Sequence, residues 1–164
     1  MIGEYELNKI YCEDSYEAIK KIPDNYFDLA IVDPPYGIGV DGGIGGGVLA
    51  KKSSFEKKGW DTKSPDEDYF KELMRVSKNQ IIWGANHFIS KIPFDFSCFL
   101  IWDKGQRNFS LADGEMAWTS FKTSARFFNY SRAKALQEGK IHPTQKPVAL
   151  YAWLLNNQRT ATIS

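Results

Sequence analysis

The chain is short of the residues that build metal centres and disulfide frameworks. It has two cysteines, Cys12 and Cys98, and two histidines, His87 and His142, in 164 residues. None of the four sits at metal-ligand spacing, so no metal site is expected. Two isolated thiols without a signal-peptide pattern lead to the expectation of a reducing, cytoplasmic setting. Charge of one sign is also lacking. The formal net charge is +1, which excludes a globally basic nucleic-acid binder and leaves only a local patch for such a role. No apolar run is long enough to cross a membrane. No internal repeat or composition break divides the chain, so residues 1–164 are expected to form one domain. Aromatics, by contrast, are plentiful at 15%. They serve either a bulky core or a pocket for a planar ligand.

Strand and helix signals alternate along the chain. "KIYC" (9–12) reads as a short strand, and Asp14-x-x-Glu17 as the cap of a helix that stops before Pro23. "FDLAIV" (27–32) is an apolar run with branched residues, which predicts a buried strand ending at Asp33. Residues 37–64 are rich in glycine, lysine and serine and read as a loop. Ser64-Pro65-x-Glu67 then predicts a helix with Ser64 as N-cap, running to about Val76. Three further strands are expected at "QIIW" (80–83), "SCFLIW" (97–102) and "GEMAWTSF" (114–121), with another at "ARFFNY" (125–130). A last apolar helix follows from "PVALYAWLL" (147–155). This order predicts an α/β fold with a mainly parallel sheet and a strand-rich end.

The stretch "DPPYGIGVDGGIGGG" (33–47) carries two motifs. Gly37-x-Gly39-x-x-Gly42 spells a dinucleotide-binding fingerprint, but that fingerprint needs a helix leaving the glycines. Gly45, Gly46 and Gly47 follow instead, and consecutive glycines each cost a helix roughly 1 kcal/mol against alanine. A phosphate-binding Walker loop fails too, because no Gly-Lys-Ser/Thr follows at the right spacing. The glycines therefore read as a flexible loop. Its lysines Lys51, Lys52, Lys57 and Lys58 are either a solvated charge run or contacts to nucleic-acid phosphates.

Asp33-Pro34-Pro35-Tyr36 stands at the carboxyl end of the predicted strand, where open α/β sheets place ligands. The two prolines lock two φ angles and keep Asp33 out of helical geometry. They also remove two N–H groups, so the segment offers acceptors without competing donors. A stiff acceptor site suits an exocyclic amino group, whose lone pair is delocalised into its ring. A carboxylate and a carbonyl can hold its N–H groups and stabilise the positive charge that grows as it attacks a methyl electrophile. Tyr36 can stack on a flipped base. A plain strand-terminal turn is the other reading of the same four residues.

"DPPYG", with "IIWGANHF" (81–88), "LIWDK" (100–104), "ADGEMAWTSF" (112–121) and "IHPTQKPVALYAWLL" (141–155), resembles the amino-methylating DNA methyltransferases. It is most similar to the permuted class of phage and prophage adenine enzymes, in which the catalytic motif precedes the cofactor motif. The resemblance spans about residues 8–157 and implies methyl transfer from S-adenosylmethionine to adenine N6 in double-stranded DNA. It implies catalytic roles for Asp33, Pro34, Pro35 and Tyr36, and cofactor contacts from Thr144, Gln145 and Lys146. Lys146, at a helix start, would suit the cofactor's carboxylate. Asp14 matches the family's acidic residue near the cofactor's adenine, although on its own it is a helix N-cap. Asn86 is expected to border the cofactor site. Asp103 and Lys104 read either as a surface ion pair or as site residues, and His142 as structural. Arg126 and Arg132, in a basic stretch with Lys134 and Lys140, are candidates for DNA contact.

The resemblance further implies a strand and a glycine-rich turn after the last helix, which residues 156–164, "NNQRTATIS", do not spell. The expected fold is therefore a Rossmann-like methyltransferase sheet, mixed with antiparallel C-terminal strands and lacking the last cofactor-binding strands. "FDLAIV" would then present an unpaired apolar edge. It is expected to pair with a second copy or a complementing chain, or to be capped by "KIYC". Alternatives to an active adenine enzyme are a non-catalytic DNA-binding remnant, half of a split methyltransferase, and an N4-cytosine methyltransferase.

Overall fold

The computed structural model describes residues 2, 4–40, 56, 58–95, 97–107, 112–139, 141–142 and 144–161, without the side chains of residues 158–161. Its centre is an open, mixed sheet of five strands: β1 (Ala30–Val32), β2 (Gln80–Trp83), β3 (Phe99–Asp103), β4 (Gly114–Thr119) and β5 (Arg126–Asn129), in the spatial order β1-β2-β4-β3-β5. β1 runs parallel to β2 and β3 parallel to β5, while β4 is antiparallel to both its neighbours. The class is thus α/β as expected, but the sheet is evenly mixed rather than mainly parallel. β3 and β4 are consecutive in the chain with no helix between them among the described residues, and a direct connection favours antiparallel pairing.

Four helices surround the sheet: α1 (Ser15–Lys20), α2 (Glu67–Val76), α3 (Arg132–Gln137) and α4 (Val148–Ala161). Two 3₁₀ turns, Ala85–His87 and Ile89–Lys91, follow β2. The Asp14 side chain caps α1, accepting from the N–H groups of Tyr16 at 2.8 Å and Glu17 at 3.1 Å. α2 differs from expectation in its cap. Asp66 accepts from the Tyr69 N–H at 3.2 Å and opens the helix, whereas Ser64 is held outside it by the Lys91 ammonium at 2.7 Å.

The side-chain alternation of the strands splits the core into two layers. Ile82 and Trp118 pack on one face with Phe70 and Leu73 of α2 and with Phe88. Ile81, Trp83 and Ala117 pack on the other with Leu150 and Leu154 of α4. The largest aromatic side chains of the core lie here: Trp83, Trp118, Phe70 and Phe88 are fully buried. The helices that sandwich the sheet leave the strand ends, rather than the strand faces, open for a site.

Two strand expectations are corrected. Residues 9–12 form no strand: Ile10 is fully exposed, and Tyr11 packs edge-on against Tyr5 while its hydroxyl accepts from the Glu6 N–H. They therefore do not cap β1, which is an edge strand among the described residues. β1 itself is three residues long and half-buried, not a fully buried six-residue strand. Its first half leaves the ladder because the Asn79 side chain takes the Asp28 carbonyl and Phe27 bridges to Ser77.

Candidate active site

A cavity of about 330 Å³ opens at the carboxyl ends of β2 and β3, beside the end of β1. This size is at the low end for ligand pockets, and its place is where open α/β sheets bind ligands. Tyr36, Asn86, His87, Trp102, Glu115 and Arg132 are among the residues on its wall.

Glycine makes the first part of this geometry possible. Gly84 ends β2 at φ +71°, and a Cβ built there would lie 2.0 Å from Cε1 of Tyr36. Only a residue without a side chain lets the Tyr36 ring settle against the strand end. The ring then stacks on His87, with centroids 4.8 Å apart and planes 19° from parallel. Its hydroxyl donates to Oδ1 of Asp33 at 2.9 Å. Burial, Asp33 and Glu115 all push the Tyr36 phenol far above its ordinary range, so the hydroxyl is a fixed proton donor at neutral pH.

Lys146 completes the cluster from the opposite end of the chain. Its side chain is 2% exposed, with Nζ 2.6 Å from Asp33 Oδ2 and 3.1 Å from Glu115 Oε2. Lys104 reaches Glu115 at 2.7 Å from the other side. Burial works against the charge on Lys146, but Glu115 and Asp33 outweigh it and hold the ammonium above its ordinary value. Burial likewise opposes ionisation of Glu115, and Lys146 and Lys104 reverse that effect, drawing its carboxyl below the usual range. The result is an alternating Lys104–Glu115–Lys146–Asp33 chain of charges that sums to zero.

No protein-family model matches this chain, and no curated protein matches it.

The sequence-predicted residues divide sharply. Asp33 and Tyr36 come together, with Pro34 and Pro35 between them, and of the four Tyr36 is the one on the cavity wall. Lys146 joins them, not as a free cation but neutralised by two carboxylates. Gln145 lies on the wall, but its amide accepts from the Ile141 N–H at 2.9 Å and donates to the Gly139 carbonyl at 3.0 Å, which pins the loop before α4. Thr144 hydrogen-bonds His142, whose ring leans on Trp60. Asp14 caps α1 and is not on the cavity wall. Asn86 does line the cavity. The four residues expected to hold the cofactor therefore do not present a free donor set. Even the N-terminus of α4, a natural seat for an anion, is taken: the Glu138 carboxylate accepts from the Val148 N–H at 2.8 Å.

The glycine loop shows the same self-sufficiency. Gly37 and Gly39 sit at φ +74° and +73° and turn the chain around Asp61, which is 1% exposed. The Asp61 carboxylate accepts from the N–H groups of Gly37 at 2.8 Å and Val40 at 2.9 Å. This is an anion-binding nest occupied by the chain's own carboxylate, so it has no place for a pyrophosphate.

Asp103 and Lys104 are not a pair. Asp103 binds Arg107 at 2.7 Å, while Lys104 turns inward to Glu115. Among the DNA-contact candidates, Lys58 is exposed, and Arg126 is exposed at the start of β5, the end of that strand away from the cavity. Arg132 lies on the cavity wall itself. Lys51, Lys52 and Lys57 lie outside the described residues. Glu115 was missed by sequence reasoning. Its only signal is an acidic side chain opening the otherwise apolar strand "EMAW".

Proposed function

We propose that this chain is a DNA amino-methyltransferase with a Rossmann-like fold that acts on adenine N6, with S-adenosylmethionine as methyl donor. The observation that carries the reading is the Asp33–Tyr36 pair, fixed by Lys146 and Gly84 at a strand end beside a cavity of about 330 Å³. Its supports are the tetrad's chemistry and the resemblance of the surrounding motifs. The donor enters through that resemblance alone, because the residues expected to hold it are engaged with other parts of the chain.

The chain's own residues have clear tasks in such a reaction. Lys146 anchors Asp33 Oδ2 and leaves Oδ1, now bound to the Tyr36 hydroxyl, as the oxygen that a substrate N–H would claim. Pro34 has no N–H, so its carbonyl is free of a competing donor on the same residue and can take a second substrate N–H. Together they orient the amino nitrogen and stabilise the positive charge that develops on it. Tyr36 already carries a planar heterocycle on its face, the His87 imidazole, and a flipped base would take that position. The open edge of β1, ending in Asp33, is where a second copy or a complementing chain would pair.

The test is transfer of labelled methyl from S-adenosylmethionine to double-stranded DNA by the purified chain. Asp33→Ala should abolish transfer while the thermal transition persists. Transfer retained by that variant would refute the assigned role.

A further inference from the structure

Three devices that would ordinarily seat a ligand's anion are filled from within the chain. The glycine nest holds Asp61, the start of α4 holds Glu138, and Lys146 holds Asp33 and Glu115. Lys104, the other lysine on the cavity wall, is neutralised by Glu115. Arg132 is different. It is half-buried, and among the described residues its guanidinium meets no carboxylate and makes no side-chain hydrogen bond. Its position is nevertheless fixed, because its backbone N–H donates to the Lys104 carbonyl at 3.0 Å, tying α3 to the end of β3. Among the described residues, the cavity wall therefore carries one uncompensated positive charge.

The rest of the wall says what else the ligand contains. Tyr36 and Trp102 supply flat aromatic surface, and Ile38, Val40 and Leu136 supply apolar surface. Asn86 also has no side-chain hydrogen bond among the described residues, and its amide can both donate and accept. Such a wall suits the edge of a nitrogen heterocycle, whereas a guanidinium has donors only and suits an anion, bidentately.

We propose that Arg132 is the anion contact of this cavity, and that the cavity takes an adenine-type heterocycle carrying an anionic group. The choice of adenine rests on the methyltransferase reading; the anion contact rests on the charge arrangement. The anion has two chemical sources, the phosphate of the target nucleotide or the carboxylate of the methyl donor. Where the anion is the carboxylate, the role expected for Lys146 passes to Arg132.

Calorimetric titration with two ligand pairs tests this. One pair is 2′-deoxyadenosine 5′-monophosphate and 2′-deoxyadenosine. The other is S-adenosylhomocysteine and 5′-methylthioadenosine, which lacks the carboxylate. In at least one pair the anionic member should bind the wild-type chain about tenfold or more tighter, as expected for a charge-assisted hydrogen-bonded pair. Arg132→Ala should erase that preference while leaving the neutral member within about twofold, and Arg132→Lys should restore part of it. The pair that shows the preference identifies the source. Equal binding within both pairs, a preference that survives Arg132→Ala, or no binding of any of the four compounds would overturn the proposal. A preference lost in Arg132→Ala without any methyl transfer to DNA upholds the anion contact and removes the methyltransferase reading. Methyl transfer without a preference does the reverse.

Discussion

The ammonium of Lys146 lies 2.6 Å from Asp33 Oδ2, across 113 positions of sequence. This contact ties the start of α4 to the end of β1 and gives the candidate catalytic carboxylate a buried cationic partner. The same ammonium also binds Glu115, so one side chain holds three elements together.

Removing that ammonium should be costly. Lys146→Met keeps the length of the side chain but leaves Asp33 without its cation and Glu115 with Lys104 alone. Both carboxylates keep roughly a quarter of their exposure, which places the loss near the low end for a broken buried pair, about 3 kcal/mol. Chemical denaturation measures it. Adding Asp33→Asn to Lys146→Met should recover part of the loss, because it removes the stranded charge. If the double variant is no more stable than the single, the pairing does not carry the effect.

Glu115 sets an acid limb on stability. Its carboxyl titrates below the ordinary value of 4.5 in the folded chain. Its contribution is therefore fully present above the unfolded value and is lost as pH falls through the lowered folded one. Stability followed from pH 7 to pH 3 should fall less steeply in Glu115→Gln than in the wild type. Parallel curves would contradict this. Lys146 gives the opposite limb: its raised folded value means that stability is held below 10.5 and lost as pH climbs past it.

Gly84 should tolerate no side chain. Gly84→Ala meets both the left-handed backbone at φ +71° and the Tyr36 ring. The two costs together come to about 2–5 kcal/mol. Denaturation gives the sum, and the ring-current shift of the His87 protons in NMR spectra reports whether Tyr36 has moved. An unchanged shift with unchanged stability would mean that the strand end yields easily.

Among the described residues β1 ends the sheet with an open edge, so the chain is expected to self-associate or to capture a complementing strand there. Light scattering should show a dimer, with the outward amide of Ile31 protected from hydrogen exchange. A monomer at high concentration with that amide exchanging freely contradicts it.

Much of the scaffold was legible because its signals are local. The β2 run "QIIW" and the α4 run "VALYAWLL" lie where periodicity places them. Asp14 caps α1 as its spacing implies. The N-cap of α2 was misplaced by two residues because Ser64 and Asp66 are both good caps, and only the tertiary contact from Lys91 decides between them. "KIYC" alternates like a strand but has no partner strand, since Tyr11 finds Tyr5 instead. The tetrad Asp33–Tyr36 was legible from its backbone chemistry. The engagement of Lys146, Glu138 and Asp61 with their partners was not, because each joins residues far apart in the chain. No residue pattern announces which of several cations will be left over, and that turned out to be Arg132.

Methyl transfer to adenine at Asp33 is tested most directly by nucleoside mass spectrometry of double-stranded DNA incubated with the purified chain and S-adenosylmethionine. N6-methyldeoxyadenosine is expected above background with the wild type and none with Asp33→Ala. A folded, cooperatively melting wild type that leaves the DNA without any N6-methyldeoxyadenosine would contradict it.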